Sequence, residues 1–467
     1  MGVVMRLWWR YPWWWVSMGV LAFLGSWPLV GFPLTDADIA HWVPIAREIQ
    51  LTGRFLTSSN DQTHGPLLAW TAAVLAAPRP HAFWLYNLFN LCCGIWGLAV
   101  MYGGARVIWG RRVAAMSVGM ACTSLVWVYL SRTPMYDWPA AMGLWSAMMA
   151  WWVWLETRRP LAFGGAMLSL MIAATSRFSI TVGLMAIFVG VGAWVYRRGW
   201  WRTLLEWAVL KTAACALIGI WVYCQYRTHG SPFMVEWWVD NVGRYIKEPG
   251  DSTVYHDYYG FLLLTLVGMF PHTFMLLGTL CQKSVWTRWR DDRRQWLLWA
   301  GWLPCLVLFS FSGHVKLARY IAYVFPMLTV FLAVQMVQYD LINPRWVRRV
   351  NRMMGWTLGG MSVLLAMTAF QFQKEVAASP LFVVGVIGLV LGVLGGGWLA
   401  FQRQWMPMGL GREEDSMPVD LWAMGVLVGS YGLFLTVLAI EYQRAPFLTM
   451  VSDEIHAVIE AVDHRIQ

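Results

Sequence analysis

Long apolar runs joined by short connections fill this chain, and the charges on those connections alternate. Basic residues cluster on every second connection: Arg6 with Arg10, Arg111 with Arg112, Arg158 with Arg159, Arg197 with Arg198, Lys283 to Arg294, Arg345 to Arg352, and Arg403 with Arg412. The intervening connections carry Asp36, Asp38, His64, Asp137, Arg244, His256 and Lys316. Such segregation is expected of a chain that crosses a bilayer repeatedly, with its arginine-rich connections in the cytoplasm and the opposite set outside.

Composition agrees with a lipid solvent. Apolar residues make up 58% of the chain and charged ones 13%, against roughly 25% charged in a soluble domain. The 34 Trp suit the membrane interface, because indole joins a large apolar body to one polar N–H. The net charge of +10 is spread in short clusters between apolar runs, which points to topology and away from nucleic-acid binding. The seven cysteines, Cys92, Cys93, Cys122, Cys215, Cys224, Cys281 and Cys305, lie in apolar runs without paired CxxC spacing, so they read as small buried hydrophobes.

A span needs about 20 apolar residues. The sequence places spans near 13–32, 83–108, 113–130, 138–155, 161–175, 178–196, 207–226, 258–281, 296–312, 318–337, 356–372, 380–401 and 420–440. The expected fold is an all-α polytopic integral membrane protein of about thirteen spans, with an inner amino terminus, an outer carboxyl terminus and an uncleaved first anchor. Residues 1–440 form the membrane domain, with long outer loops at 33–82 and 227–257. The first loop should hold a helix at 36–51, capped by Thr35 or Asp36 and ended near Gly53, then a short apolar segment at 67–77 after Gly65-Pro66. In the 441–467 tail, Ile455, Val458, Ile459, Val462 and Ile466 recur at helical spacing, as an amphipathic helix on the outer membrane surface would require. No internal repeat or nucleotide-binding domain is evident.

Asp36 and Asp38 open the first outer loop. Carboxylates there suit the positive end of a helix dipole, and they could equally serve as a general base or metal ligand at the membrane surface. Ala46-Arg47-Glu48, Leu51-Thr52-Gly53 and His64-Gly65-Pro66-Leu67-Leu68 follow in order. This loop resembles that of the GT-C glycosyltransferases of the aminoarabinose-transferase and protein O-mannosyltransferase superfamily. The resemblance continues in Ser131 to Asp137, Asn241 to Tyr245, His256 to Tyr259, Phe270-Pro271, and Ser312-Gly313-His314-Val315-Lys316-Leu317-Ala318-Arg319-Tyr320. It covers roughly residues 10–340, and its strength lies in the order of the motifs and their shared outer placement.

The resemblance implies a GT-C fold with interfacial helices in the first outer loop. It implies transfer of a sugar from a polyprenyl-phosphate carrier to a lipid, glycan or protein acceptor at the extracytoplasmic face of the cell membrane. Asp38 would be the catalytic base, favouring single-displacement inversion, with Asp36 its neighbour. Asp137 would be the second acidic residue, orienting acceptor or metal. Lys316, Arg244 and His64 would bind the donor phosphate, supported by Tyr320, Tyr245 and His256. The chain departs from the family where Glu-Lys-Pro-Pro is replaced by Thr63-His64-Gly65-Pro66, where Ile39 follows Asp38, and where Ala318 takes the place of a proline. No cofactor is required by the sequence, and a divalent metal ion is left open by Asp38 and His41, one helical turn apart.

Two other classes compete with the transferase. A secondary transporter or flippase for a lipid-linked or anionic substrate would place ionisable residues near the bilayer midplane and show related halves. An inactive GT-C-like scaffold would account for the changes at positions 39, 63 and 64. The sequence names neither the sugar nor the carrier length nor the acceptor.

Overall fold

The computed structural model describes residues 39–57, 64–78, 84–122, 124–131, 135–243, 258–269, 272–288, 292–311 and 318–338. The described chain is helical. In the first loop, α1 spans Ile39–Thr52 and α2 spans Leu67–Ala76. The bundle then runs through α3 (Trp84–Trp109), α4 (Arg111–Cys122), α5 (Leu125–Leu130), α6 (Asp137–Thr157), α7 (Pro160–Ser176), α8 (Phe178–Val195) and α9 (Trp200–His229). After these come α10 (Ser231–Trp238), continued by a wider turn over Val239–Gly243, then α11 (Tyr258–Gly268), α12 (Thr273–Leu280), α13 (Lys283–Arg288) and α14 (Arg294–Phe311). A 3-10 turn, Ala318–Tyr323, leads into α15 (Phe325–Gln338).

Three described helices are long and apolar enough to cross a membrane: Leu88–Trp109, Phe178–Val195 and Trp200–His229. The boundary expected inside 161–196 falls at Arg177, between α7 and α8. The expected spans at 13–32, 356–372, 380–401 and 420–440, and the tail helix, lie outside the described residues.

Three expected spans are broken. The run at 113–130 divides into α4 and α5, because Ser124 folds back on the Ala121 carbonyl with both its backbone N–H and its hydroxyl. The run at 258–281 divides into α11 and α12, where the His272 N–H closes a turn on the Met269 carbonyl and the sequence carries Pro271, which has no N–H to continue a helix. The run at 318–337 begins as a 3-10 turn. Hydropathy sums apolarity over a window and does not register where the backbone bonding changes. The helix expected near 207–226 extends to the whole of Trp200–His229.

At the centre stands α6, buried almost all round, with Trp138, Trp151 and Trp152 fully enclosed. Gly143 lets it approach α7 closely: a Cβ there would meet the Ala173 backbone N at 2.7 Å and the Ser169 carbonyl O at 2.8 Å. Small residues at such contacts let helix backbones gain van der Waals packing where lipid supplies no hydrophobic drive. Trp127 meets Trp138 edge to face at 5.0 Å, and Trp109 meets Trp152 at 4.8 Å.

A helix of 21 residues is about 30 Å long at 1.5 Å per residue, so its two ends are well separated. Asp137 begins α6, and Glu156 lies at its far end. There Glu156 accepts from the Tyr196 hydroxyl and from Arg294, whose Nη1 also donates to the Ile108 carbonyl at the end of α3. Burial, and then the hydrogen bond to Glu156, push the Tyr196 phenol well above its ordinary value, so it remains a donor.

Candidate active site

The Asp137 end gathers residues from five separate parts of the chain. In the first loop, α1 packs on α2 through Trp42, Val43, Ile45, Ala46 and Ile49 against Leu68, Ala69, Ala72, Ala73 and Ala76. Gln50 Nε2 donates to the Ala73 carbonyl at 3.0 Å, and Trp70 Nε1 to the Phe55 carbonyl at 2.6 Å. Gly53, in the left-handed region at φ 68°, stops α1 where the sequence places its end. Tyr136 belongs to the same small core, so the residue preceding Asp137 is fixed to the loop helices. From the other side, Asn90 Nδ2 donates to the Met135 carbonyl at 3.2 Å and Trp138 Nε1 to the Asn90 carbonyl at 3.0 Å.

Held between these anchors, the Asp137 side chain is 2% exposed. Arg177 reaches it with Nε at 3.3 Å from Oδ1 and Nη2 at 3.4 Å from Oδ2. Arg319 places Nε 3.0 Å from Oδ2, and the Tyr323 hydroxyl donates to Oδ1 at 3.4 Å. Both guanidinium groups are nearly buried, with side chains 7% and 10% exposed. A carboxylate that already accepts from Arg177 and Tyr323 and is ion-paired with Arg319 is built to hold those groups in place.

His64 completes the cluster. Its Nδ1 lies 3.4 Å from Arg177 Nη1, and its ring stands edge-on to Tyr136 at 5.2 Å. The approach depends on Gly65: a Cβ there would overlap the Thr175 carbonyl and lie 2.8 Å from the Ser176 carbonyl O, at the end of α7. Gly65 thus seats the first loop on the helix end from which Arg177 projects.

Of the residues nominated from sequence, Asp137 and His64 therefore meet through Arg177. Tyr320 is turned elsewhere: its ring stacks on Phe309 of α14 at 4.9 Å, and the Arg319 guanidinium lies 6.0 Å from it. Asp36, Asp38, Arg244, Tyr245, His256 and Lys316 lie outside the described residues, as does the side chain of His41. Arg177, Arg319 and Tyr323 are the contributors that sequence reasoning missed. The signal for Arg177 was the polar break Thr175-Ser176-Arg177 inside an otherwise apolar stretch, while Arg319 stood within a quoted motif beside Lys316 and Tyr320. Among the described residues no three His, Cys, Asp or Glu side chains group as metal ligands.

Comparison of the sequence with protein-family models and with curated proteins gives no match. Solved structures do match. ArnT from Cupriavidus metallidurans in the apo state superposes with a TM-score of 0.66 at 18% identity, covering 92% of this chain and 76% of that one. The same protein bound to undecaprenyl phosphate gives 0.67 at 16% identity with the same coverage. The chain has the ArnT fold. This is the GT-C architecture implied by the ordered motifs, now carried by the superposition. An oligosaccharyltransferase from Archaeoglobus fulgidus, AglB, is a more distant likeness, with a TM-score of 0.49 at 12% identity over 91% of this chain and 56% of that one. Within the ArnT fold of this chain, the Asp137 cluster joins the first loop, the start of α6, the α7–α8 junction and the turn before α15.

Proposed function

We propose that this protein transfers a sugar from a polyprenyl-phosphate carrier to an acceptor at the extracytoplasmic face of the cell membrane. The observation that carries the reading is the convergence of His64, Arg177, Asp137 and Arg319 at one end of an ArnT fold. That arrangement concentrates guanidinium groups beside the loop that bears the Asp36 to Glu48 motif. The related fold in ArnT was solved with undecaprenyl phosphate bound, which supports a lipid phosphate as the ligand class here.

In this reading an acceptor hydroxyl or amine attacks the anomeric carbon, Asp38 takes its proton, and the bond from that carbon to the phosphate oxygen breaks. The carrier leaves as a monoester, having gained one negative charge relative to the glycosyl diester. Cations already oriented at the phosphate stabilise that charge most in the transition state. Lys316, Arg244 and His64 are the proposed phosphate ligands. Asp137 serves as a positioning residue that holds Arg177 and Arg319, and Asp36, Tyr245 and His256 line or support the site. Direct attack in one step inverts the anomeric centre. The acceptor class remains lipid, glycan or protein.

Ionic groups at the mouth of the bundle favour transfer over transport: Asp137 is the first residue of its helix, whereas a transport path needs ionisable groups at the midplane. The test is a titration of the purified protein with undecaprenyl phosphate, joined to release of that carrier from its glycosyl derivatives across a panel of sugars. Saturable binding with acceptor-dependent release is expected. Absence of carrier binding, or carrier movement across proteoliposomes without bond cleavage, would overturn the proposal.

A further inference from the structure

The Glu156 end of the bundle carries a cluster that sugar transfer does not use. Among the described residues only two non-glycine residues lie in the left-handed region, Arg158 at φ 56° and Arg197 at φ 49°. They occupy equivalent places: Arg158 caps the end of α6, and Arg197 follows Tyr196, the cap of α8. The other described residues in that region are Gly53, Gly110 and Gly230. A side chain there is disfavoured by roughly 1 kcal/mol or more, and glycine is not. At two neighbouring turns the chain thus keeps an arginine where glycine would relieve strain.

The surroundings show what those arginines share. The Arg158 guanidinium lies over the Trp154 ring, 5.5 Å from its centroid, and Trp154 Nε1 donates to Glu206 at 3.3 Å. Glu206 in turn holds Arg198 through two hydrogen bonds of 2.6 and 2.8 Å, with that arginine side chain 5% exposed. This buried ion pair neutralises itself, so the net charge here comes from its neighbours. Around it Arg158, Arg159, Arg197 and Arg202 are exposed. Desolvation first, and then the nearby Arg198 and Arg202, lower the Arg158 pKa, a direction that an anion placed between these groups would reverse.

Beside the arginines the surface turns apolar. Trp200 and Trp201 stack at 4.0 Å, and Trp201 and Leu205 are 70% and 67% exposed. They open α9, one of the helices long and apolar enough to cross a membrane. Indole pairs in that place anchor a helix at the headgroup level. An exposed cationic patch beside an exposed apolar one matches a ligand that has both an anionic head and acyl chains.

We propose that Arg158, Arg197 and Arg202, over the Arg198–Glu206 pair, form a binding site for the phosphate of an anionic phospholipid, with Trp200, Trp201 and Leu205 against its acyl chains. General charge asymmetry would be met equally by lysine or by arginine in an unstrained conformation. Here both turns carry an arginine in a backbone conformation that favours glycine, beside the Arg198–Glu206 pair's neighbours Trp154 and Tyr196. The site is independent of the sugar-transfer reading.

The test uses the full-length protein in phosphatidylcholine nanodiscs, titrated with phosphatidylglycerol and read by native mass spectrometry and Trp fluorescence. Arg158→Gly/Arg197→Gly removes two guanidinium groups while relieving two strained turns. Arg111→Gln/Arg112→Gln removes the same charge from another arginine-rich connection. The glycine pair should lose phosphatidylglycerol affinity by about tenfold or more, since each charge-assisted hydrogen bond to the phosphate contributes on the order of a tenfold factor, and the glutamine pair, with no such bond to lose, should lose little. Arg202→Gln, on the exposed side of α9, should lose affinity in the same direction without touching either turn. Equal losses in the two pairs would mean non-specific charge attraction and would overturn the site. So would unchanged affinity in the glycine pair and Arg202→Gln, or equal occupancy of the site by inorganic phosphate alone.

Discussion

His64 Nδ1 and Arg177 Nη1 stand 3.4 Å apart although 113 residues separate them. The contact links the first loop to the junction of α7 and α8, and Gly65 is the reason the two segments come so close. Gly65→Ala should therefore push the loop off the Thr175 and Ser176 carbonyls, cost about 1–3 kcal/mol as an overpacked contact, and lower carrier binding and turnover together. Gly103→Ala, where an added Cβ meets nothing within 4 Å, should be neutral or slightly stabilising. Thermal unfolding and turnover measured on both variants check this. Parent-like behaviour of Gly65→Ala would show that the loop does not depend on that contact.

A second expectation concerns Asp137 as a strut. Asp137→Asn leaves Arg177 and Arg319 buried beside each other without their shared carboxylate, and removing one partner of a buried pair costs roughly 3–5 kcal/mol. Glu236→Gln, at an exposed site on α10, should change stability by less than about 0.5 kcal/mol. Denaturant unfolding in detergent distinguishes the two. Asp137→Glu keeps the charge and should recover part of the turnover with an unaltered pH–rate profile, because the proton-accepting group of the proposed mechanism is Asp38. A displaced profile would instead place Asp137 in the proton transfer.

These two residues also show how much the sequence discloses. Asp137 and His64 are visible because charge in a mostly apolar chain stands out, and because both fall in ordered motifs. Arg177 is harder to see: its functional direction depends on the α7–α8 break turning its side chain toward α6, which three-dimensional packing decides. Tyr320 and Tyr323 lie three residues apart, and the 3-10 turn over 318–323 puts them on one face, so both rings pack on Phe309, at 4.9 and 5.6 Å; that only Tyr323 also reaches Asp137 with its hydroxyl is decided by packing and not by spacing. The apolar runs behind α3, α8 and α9 are legible by length. The divisions α4/α5 and α11/α12 are not, since a local turn changes backbone bonding without changing apolarity.

The proposed orientation rests on the arginine asymmetry and is open to direct measurement. In a background with the exposed Cys92 and Cys281 changed to serine, cysteines introduced at Ser59, Ser252 and Gln467 should react with an impermeant reagent outside intact cells. A cysteine at Arg290 should react only after permeabilisation. Labelling of Arg290→Cys but not Ser59→Cys would reverse the orientation and place the Asp137 cluster in the cytoplasm.

The proposed base gives the largest expected kinetic effect. Asp38→Asn should leave folding and undecaprenyl phosphate binding intact and lower turnover by about two to four orders of magnitude, the usual reach of general acid–base catalysis. Single-turnover transfer and carrier titration on the same preparation check both halves. Near-normal transfer by Asp38→Asn would remove the assignment, and Asp36→Asn would be the next variant to measure.

Where the GT-C glycosyltransferases that the sequence resembles carry Glu-Lys-Pro-Pro, this chain has Thr63-His64-Gly65-Pro66, so in the proposed phosphate site one cation fewer is available and the others must carry more of the leaving-group charge. Lys316→Met keeps the apolar stem and removes only the ammonium, which makes it a cleaner probe than alanine. Because the phosphate gains charge as the glycosidic bond breaks, Lys316→Met and Arg244→Met should slow transfer more than they weaken binding of the intact glycosyl carrier. Carrier affinity and single-turnover rates measured side by side separate the two effects. Lys374→Met, beyond the stretch that carries the resemblance, should change neither. If both Lys316→Met and Arg244→Met match the parent in affinity and rate, the donor phosphate is bound by other groups, and Arg177 and Arg319 become the cations to test.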